Sequence, residues 1–357
     1  MTATSPKLRL RPFYCPVPSA KHPDSSLLNR ETIEWVTHYV LYTDEAQKQR
    51  LERVNAGLLA ALTSPNGHLE PTQASSDSLM WLFSFDDAHC DEGRLGRNPH
   101  ELSRVLIRLL RILESPETPL DPISPFSNFE LALRDLRKRI AAFATPLQVL
   151  RWTDAMRMYF LCQVWEAANR VEGVVPDPNE YAYMRIHNGA MRVSVMLLDI
   201  ADGYELSAAD MDRPDVRALT EATCLLVGWD NDILSFRKEH DRSDGAVGLL
   251  DVLADARVCR PEVVLDEAML MRDRIMVLFE TLSRQVQVTA SPSLVRYTAS
   301  LGHWIRANLE WGSSCARYVD ASEAEAVSGV WAEVPAPGSE SPIDLPAISW
   351  WWQQLAR

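Results

Sequence analysis

Glycine is scarce, 14 of 357 residues, and strand-like alternation is short and rare. Long Ala/Leu/Arg/Glu-rich stretches dominate instead, so helices are the expected element and a β-rich fold is excluded. No run approaches the about 20 apolar residues of a membrane span. Lys7, Arg9 and Arg11 lead into Pro12, Pro16 and Pro18 rather than into the apolar core of a signal peptide, so a soluble, cytoplasmic protein without membrane insertion is expected. Six cysteines (Cys15, Cys90, Cys162, Cys224, Cys259, Cys315) form no CxxC and no Cys/His cluster, as for reduced, mostly buried thiols. The formal net charge of −13, with no basic stripe, argues against a nucleic-acid partner. No Ser-His-Asp or Cys-His arrangement is readable, and no internal repeat is present.

What is present is a succession of ten or more helical patterns, which reads as one all-α domain. Residues 1–30 are proline-rich and non-periodic and read as an extended lead-in. Residues 31–320 carry the helical domain, with punctuation at Thr43-Asp44, Pro65-Asn66-Gly67, Gly93/Gly96, 116–125, Gly173/Pro176 and Asp212-Arg213-Pro214. Within the pattern at about 178–202 stands an internal Gly189, costly in a helix and therefore expected at a break. Residues 321–357 shift to Ala, Glu, Ser and Pro and read as a flexible tail. The tail ends in the apolar Trp350-Trp351-Trp352, which either docks on the body or packs against a partner.

Two stretches carry chemistry. Asn231, Ser235 and Glu239 stand at i, i+4 and i+8; at about 100° per residue they drift by only about 80°, so an amide oxygen, a hydroxyl and a carboxylate share one helix face. An all-oxygen face suits Mg²⁺, and the neighbouring Arg237 and Lys238 suit a phosphate. The second stretch is Asp86-Asp87-Ala88-His89-Cys90-Asp91-Glu92. Acidic runs at helix ends are commonly solvated surface. Here the run follows the apolar Trp81-Leu82-Phe83-Ser84-Phe85 and sits at a helix C-terminus, where the macrodipole disfavours carboxylates, so a cation is expected. Helical spacing pairs Asp87 with Asp91 on one face, while Cys90 is a poor Mg²⁺ ligand. Two such faces opposed across a helical cavity would clamp a diphosphate.

Asn231-Asp232-x-x-Ser235-x-x-x-Glu239 resembles the second metal-binding motif of class I terpene synthases, and Asp86-Asp87-x-x-x-Asp91-Glu92 is similar to the aspartate-rich motif of their bacterial members. Arg185 matches the arginine with which such enzymes sense diphosphate, and Arg317-Tyr318, after Asn308 and Trp311, their C-terminal Arg-Tyr pair. The proline-rich Phe13–Pro23 segment is also of the kind found there, and the resemblance spans roughly residues 13–320. It implies a helical bundle around a central active-site cavity. It also implies three Mg²⁺ ions held by Asp86, Asp87, Asp91, Asn231, Ser235 and Glu239, with diphosphate oxygens held by Arg185, Lys238, Arg317 and Tyr318. Downstream of its arginine the family often has Asp and then a small residue at a helix break; here these are Asn188 and Gly189, so the link from Arg185 is expected to be a hydrogen bond rather than an ion pair.

The implied reaction is Mg²⁺-dependent ionisation of farnesyl or geranylgeranyl diphosphate and cyclisation of the carbocation to a sesquiterpene or diterpene, in an enzyme of a family where homodimers are common. The cation needs a dry cavity, and Phe83, Trp304 and Trp311 are its candidate aromatic faces. A chain-elongating prenyl transferase would carry a second Asp-Asp-x-x-Asp motif in place of the Asn/Ser/Glu triad. A non-catalytic helical protein acting through its tail would have no use for Arg185 or Arg317-Tyr318.

Overall fold

In this computed structural model, residues 10–91, 93–121, 123–242, 247–315 and 331–355 are described; the side chains of Asp91 and of residues 237–242 lie outside that description. The helices start and stop where side chains can satisfy their ends. After α1 (Ser25–Tyr39), Asp44 caps α2 (Glu45–Val54) by accepting from the Gln47 amide at 2.7 Å, and α3 (Ala56–Thr63) follows. Then come α4 (Leu69–Phe85), α5 (Pro99–Glu114) behind the Asn98 cap, and α6 (Ser127–Phe143). The longest of these early helices is α7 (Pro146–Glu172); a Thr145/Gln148 capping box opens it and Gly173, at φ 66°, closes it.

The pattern expected as one helix at 178–202 is three: α8 (Pro178–Asn188), α9 (Met191–Val195) and α10 (Leu198–Ala201). Beyond α11 (Ala208–Asp212) runs α12 (Pro214–Arg242), then α13 (Leu249–Arg257), α14 (Leu265–Gln287) and α15 (Pro292–Ser314). The N-terminal reach expected as extended is so only in part, since α1 begins at Ser25.

The acidic run and the Asn231 motif stand on two different helices, α4 and α12. α4 is backed by α1, α3 and α6, and α12 by α8, α14 and α15, while the short α9 touches both. Among the described residues the only sheet is a parallel pair of strands, β1 (Phe13–Tyr14) and β2 (Trp331–Ala332). It ties the N-terminal segment to the C-terminal one.

Residues 331–355, expected as part of a flexible tail, pack on the body. The Trp351 side chain is fully buried, and its indole N–H donates to Glu221 Oε2 on α12 at 3.0 Å. Before it, α16 (Pro346–Ser349) lies on α8, with the Ala347 amide donating to Asn179 Oδ1 at 2.7 Å. Gln285 on α14 donates to the Gln354 carbonyl at 2.9 Å. Of the two outcomes left open for Trp350–Trp352, docking is the one observed. No described helix is long and apolar enough to cross a membrane.

Candidate active site

On α4, Leu79 and Phe83 are followed at helical spacing by Asp87, so one face runs from hydrocarbon to carboxylate. The helix does not continue as α through the acidic run: Asp86–Asp91 form a π-helical turn. A π turn bonds i to i+5, so the α-helical turn that was to pair Asp87 with Asp91 does not form. Asp87 is buried, Asp86 half-buried, and Cys90 turns into the core. The turn is closed by Arg170 on α7, which donates to the Cys90 and Gly96 carbonyls at 2.9 and 3.0 Å. A Cβ on Gly96 would lie 1.6 Å from the Cys90 oxygen, so that position requires glycine. His89 packs edge-on against Phe85, Phe126 and Phe129, and burial lowers its pKa to about 4. The Asp91 side chain and Glu92 lie outside the described residues.

α12 rises from the core segment Cys224–Trp229 into the motif. Ser235 is fully buried, and its Oγ has no hydrogen-bond partner among the described residues. A buried hydroxyl left without a partner is costly, so one turn beyond Asn231 the structure holds an oxygen whose partner remains to be supplied. Gly312 lets α15 approach this turn, since a Cβ there would meet Leu234 Cδ1 at 2.9 Å. The side chains of Arg237, Lys238 and Glu239, and the whole of Arg317 and Tyr318, lie outside the described residues.

Asn231 is flanked by two buried aspartates that sequence reasoning left without a role. Asp230 is gripped by Arg272 of α14, Nε to Oδ1 at 2.7 Å and Nη2 to Oδ2 at 3.1 Å, with all three side-chain termini withdrawn from water once Asp273 is included. Burial opposes the Arg272 charge, but Asp230 and Asp273 more than offset it and push the guanidinium pKa up. Arg272 also donates to the Tyr14 carbonyl, and Arg11 reaches Asp273 at 2.6 Å, so the N-terminal segment is fastened directly behind the motif. Asp232 faces the other way. It accepts from Arg185 Nη2 at 2.5 Å, from the Tyr181 hydroxyl at 2.6 Å and from the Leu249 amide at 3.2 Å.

Arg185 therefore reaches α12, as expected for a group near the motif: Nη2 also lies 3.4 Å from Asn231 Oδ1 and 3.2 Å from the Gly228 carbonyl. Its bond to Asn188 Oδ1, at 3.1 Å, is a hydrogen bond without an ion pair. The chain breaks at the expected place, but the residue in the left-handed region is Ala190 (φ 57°), not Gly189. Glycine at 189 is explained by proximity instead, since a Cβ would sit 2.8 Å from Arg185 Nη1.

Of the expected aromatic faces, Phe83 and Trp311 stack on one another at 5.6 Å, joining α4 to α15, while the Trp311 indole donates to the Val54 carbonyl at 2.7 Å. Trp304 lines a cavity of about 10 Å³ with Ser75, Leu79, Ser194, Leu197 and Leu198, room for about one water. Among the described residues no three His, Cys, Asp or Glu side chains converge on a metal position. Of the expected oxygen donors, Asp86 and Asp87 at the end of α4 and Asn231 and Ser235 on α12 are among the described side chains.

A family model described as terpene synthase family 2, C-terminal metal binding, matches residues 77–276. The chain belongs to the terpene synthase family. It is a class I terpene cyclase, a divalent-metal enzyme acting on a prenyl diphosphate. A (+)-germacradien-6-ol synthase of Streptomyces pratensis is 33% identical over 99% of this chain and 99% of its own length. A (+)-T-muurolol synthase of Streptomyces clavuligerus, which cyclises (2E,6E)-farnesyl diphosphate, is 37% identical over 96% of this chain and 81% of its own. The crystal structure of the SVS_A2 protein, from ancestral sequence reconstruction, is 30% identical and superimposes with a TM-score of 0.86, covering 97% of this chain and 99% of that one.

Proposed function

We propose that this cyclase converts farnesyl diphosphate to a cyclic sesquiterpene with three Mg²⁺ ions held between Asp86, Asp87 and Asp91 on one wall and Asn231, Ser235 and Glu239 on the other. The observation that carries the metal assignment is Ser235, a fully buried hydroxyl without a partner among the described residues, one helical turn from Asn231. The choice of farnesyl over geranylgeranyl diphosphate rests on the T-muurolol synthase of Streptomyces clavuligerus, a farnesyl diphosphate cyclase 37% identical to this chain. Oxygen-only donors suit Mg²⁺ over softer metals.

Bound Mg²⁺ supplies Lewis-acid stabilisation of the charge that collects on the departing diphosphate. The protein's part is to bind and to exclude water. Arg185, with Lys238, Arg317 and Tyr318, donates hydrogen bonds to diphosphate oxygens, stabilising the leaving group as the carbon–oxygen bond breaks. The prenyl chain would enter along the hydrocarbon face below Asp87, past Leu79 and Phe83 toward Trp304 and Trp311, which requires these side chains to part from the closed packing in which their cavity holds about one water. Aromatic faces there stabilise the cation by about 0.5–2 kcal/mol each, and the apolar lining keeps water from quenching it. The scattered placement of the six cysteines, with no paired spacing, supports a reducing, cytoplasmic setting.

Ser235→Ala tests the metal assignment. Removing a ligand should weaken Mg²⁺-dependent binding of inorganic diphosphate, read by titration calorimetry, by about 10- to 100-fold. Because the hydroxyl makes no bond among the described residues, the melting temperature should hold or rise. Unchanged Mg²⁺ dependence would remove Ser235 from the site.

A further inference from the structure

Asn188 gives Arg185 only a neutral oxygen, yet the guanidinium is well buried, its side chain 11% exposed. A buried cation needs a carboxylate. Among the described residues a carboxylate reaches it from α12: Asp232 Oδ1 at 2.5 Å, itself 5% exposed and fixed through Oδ2 by Tyr181 and the Leu249 amide. Gly228 and Gly189 make the slot that admits the side chain. A Cβ on Gly228 would lie 3.1 Å from Arg185 Cγ, and one on Gly189 2.8 Å from Nη1. The arginine, the helix break and the residue next to Asn231 are thus joined through one carboxylate.

We propose that Asp232 is the positioning residue for Arg185, supplying from α12 the carboxylate that position 188 lacks, so that capture of diphosphate by Arg185 is felt by α12 directly. This rests on the reading of Arg185 as a diphosphate-binding group. Asp232 acts through its bond to Arg185 Nη2, which sets where the guanidinium points.

The test uses the full chain and inorganic diphosphate with Mg²⁺ as the probe, followed by calorimetry, with steady-state kinetics on farnesyl diphosphate and melting temperature alongside. Asp232→Asn should weaken diphosphate binding about tenfold and raise KM more than it lowers kcat, since one charge-assisted bond to the arginine is lost. Because Arg185 Nη1 already lies 3.1 Å from Asn188 Oδ1, Asn188→Asp places a new carboxylate oxygen within reach. In the Asp232→Asn background it should restore most of the diphosphate affinity without restoring any stability lost with the Tyr181 and Leu249 bonds. Alone it should change affinity by less than about threefold. Parent-like affinity in Asp232→Asn, or a double variant that recovers none, overturns the proposal. Should Asp232→Asn fail to fold, Tyr181→Phe takes its place: it removes only the hydroxyl that fixes Asp232 Oδ2 at 2.6 Å, and unchanged affinity there overturns the proposal equally. Arg185→Ala separates the two readings. If it retains diphosphate affinity, the role of Arg185 fails; if it loses affinity while Asp232→Asn does not, only the role of Asp232 fails.

Discussion

Replacing Arg272 by methionine should be among the most destabilising single changes in the protein, and the structure says why. The side chain is fully buried and makes a two-pronged bond to Asp230, one to Asp273 and one to the Tyr14 carbonyl. Methionine fills much of the stem's volume, so the cavity cost is small and the loss is electrostatic. Asp273 keeps Arg11 at 2.6 Å, but Asp230 is left without its cation in a site with no exposure. Breaking one side of a buried pair costs about 3–5 kcal/mol, a large share of the about 5–15 kcal/mol that holds an ordinary domain together. Burial presses the Asp230 carboxyl toward its neutral form and Arg272 opposes it; without the arginine its folded-state pKa rises further above the unfolded value. The deficit is therefore full above that raised pKa and shrinks as pH falls through it, because the folded state then takes up the proton. Removing the stranded charge as well, in Asp230→Asn/Arg272→Met, should return at least half of the loss. Urea unfolding followed by circular dichroism at pH 7 and pH 5 reads all of this. A loss below about 1 kcal/mol, the value of an exposed pair, or a double variant less stable than the single one, would refute the reasoning.

The docked C-terminus and a buried histidine give two further tests. Trp351→Ala removes a fully buried indole and its bond to Glu221, and should cost about 3–5 kcal/mol in the same unfolding assay; a change near zero would mean that the C-terminal segment does not dock in solution. His187, whose Nδ1 is buried without a partner among the described residues, has its pKa lowered to about 4 by burial and then by Arg192. Its unfolded pKa is near 6.5, so the unfolded chain binds the extra proton first. Stability is full above about pH 6.5 and falls by about 2–3 kcal/mol toward pH 4. His187→Asn should flatten that slope, and an unchanged pH profile would contradict it.

The parts of the fold written in local chemistry were legible in the sequence. α5 begins where Asn98-Pro99 dictates, α7 begins at Thr145-Pro146 and ends at Gly173, and the break after Asn188 falls beside Gly189, although Ala190 is the residue that takes the left-handed turn. What escaped was set by distant partners. The C-terminal segment is locally polar and irregular, and it is ordered by contacts with Phe13, Arg306, Glu221 and Asn179, far away in the chain. The π turn at Asp86–Asp91 has no periodic signature; Gly96 and Arg170, which enforce it, lie outside the run itself. The candidate site divides along the same line. Asn231, Ser235 and Arg185 could be picked out by spacing and resemblance, whereas Asp230, Asp232 and Arg272 looked like ordinary charges until the helices that neutralise them were in place. A buried ion pair leaves no trace in either partner's neighbourhood.

The measurement closest to the central claim is incubation of the purified protein with geranyl, farnesyl and geranylgeranyl diphosphates, with Mg²⁺ or with EDTA, and gas chromatography with mass spectrometry of the extract. The account predicts a cyclic C15 product from farnesyl diphosphate, absent with EDTA and strongly reduced in Ser235→Ala. Turnover that persists in EDTA, a product formed only from geranylgeranyl diphosphate, or a longer prenyl diphosphate on addition of isopentenyl diphosphate would contradict it.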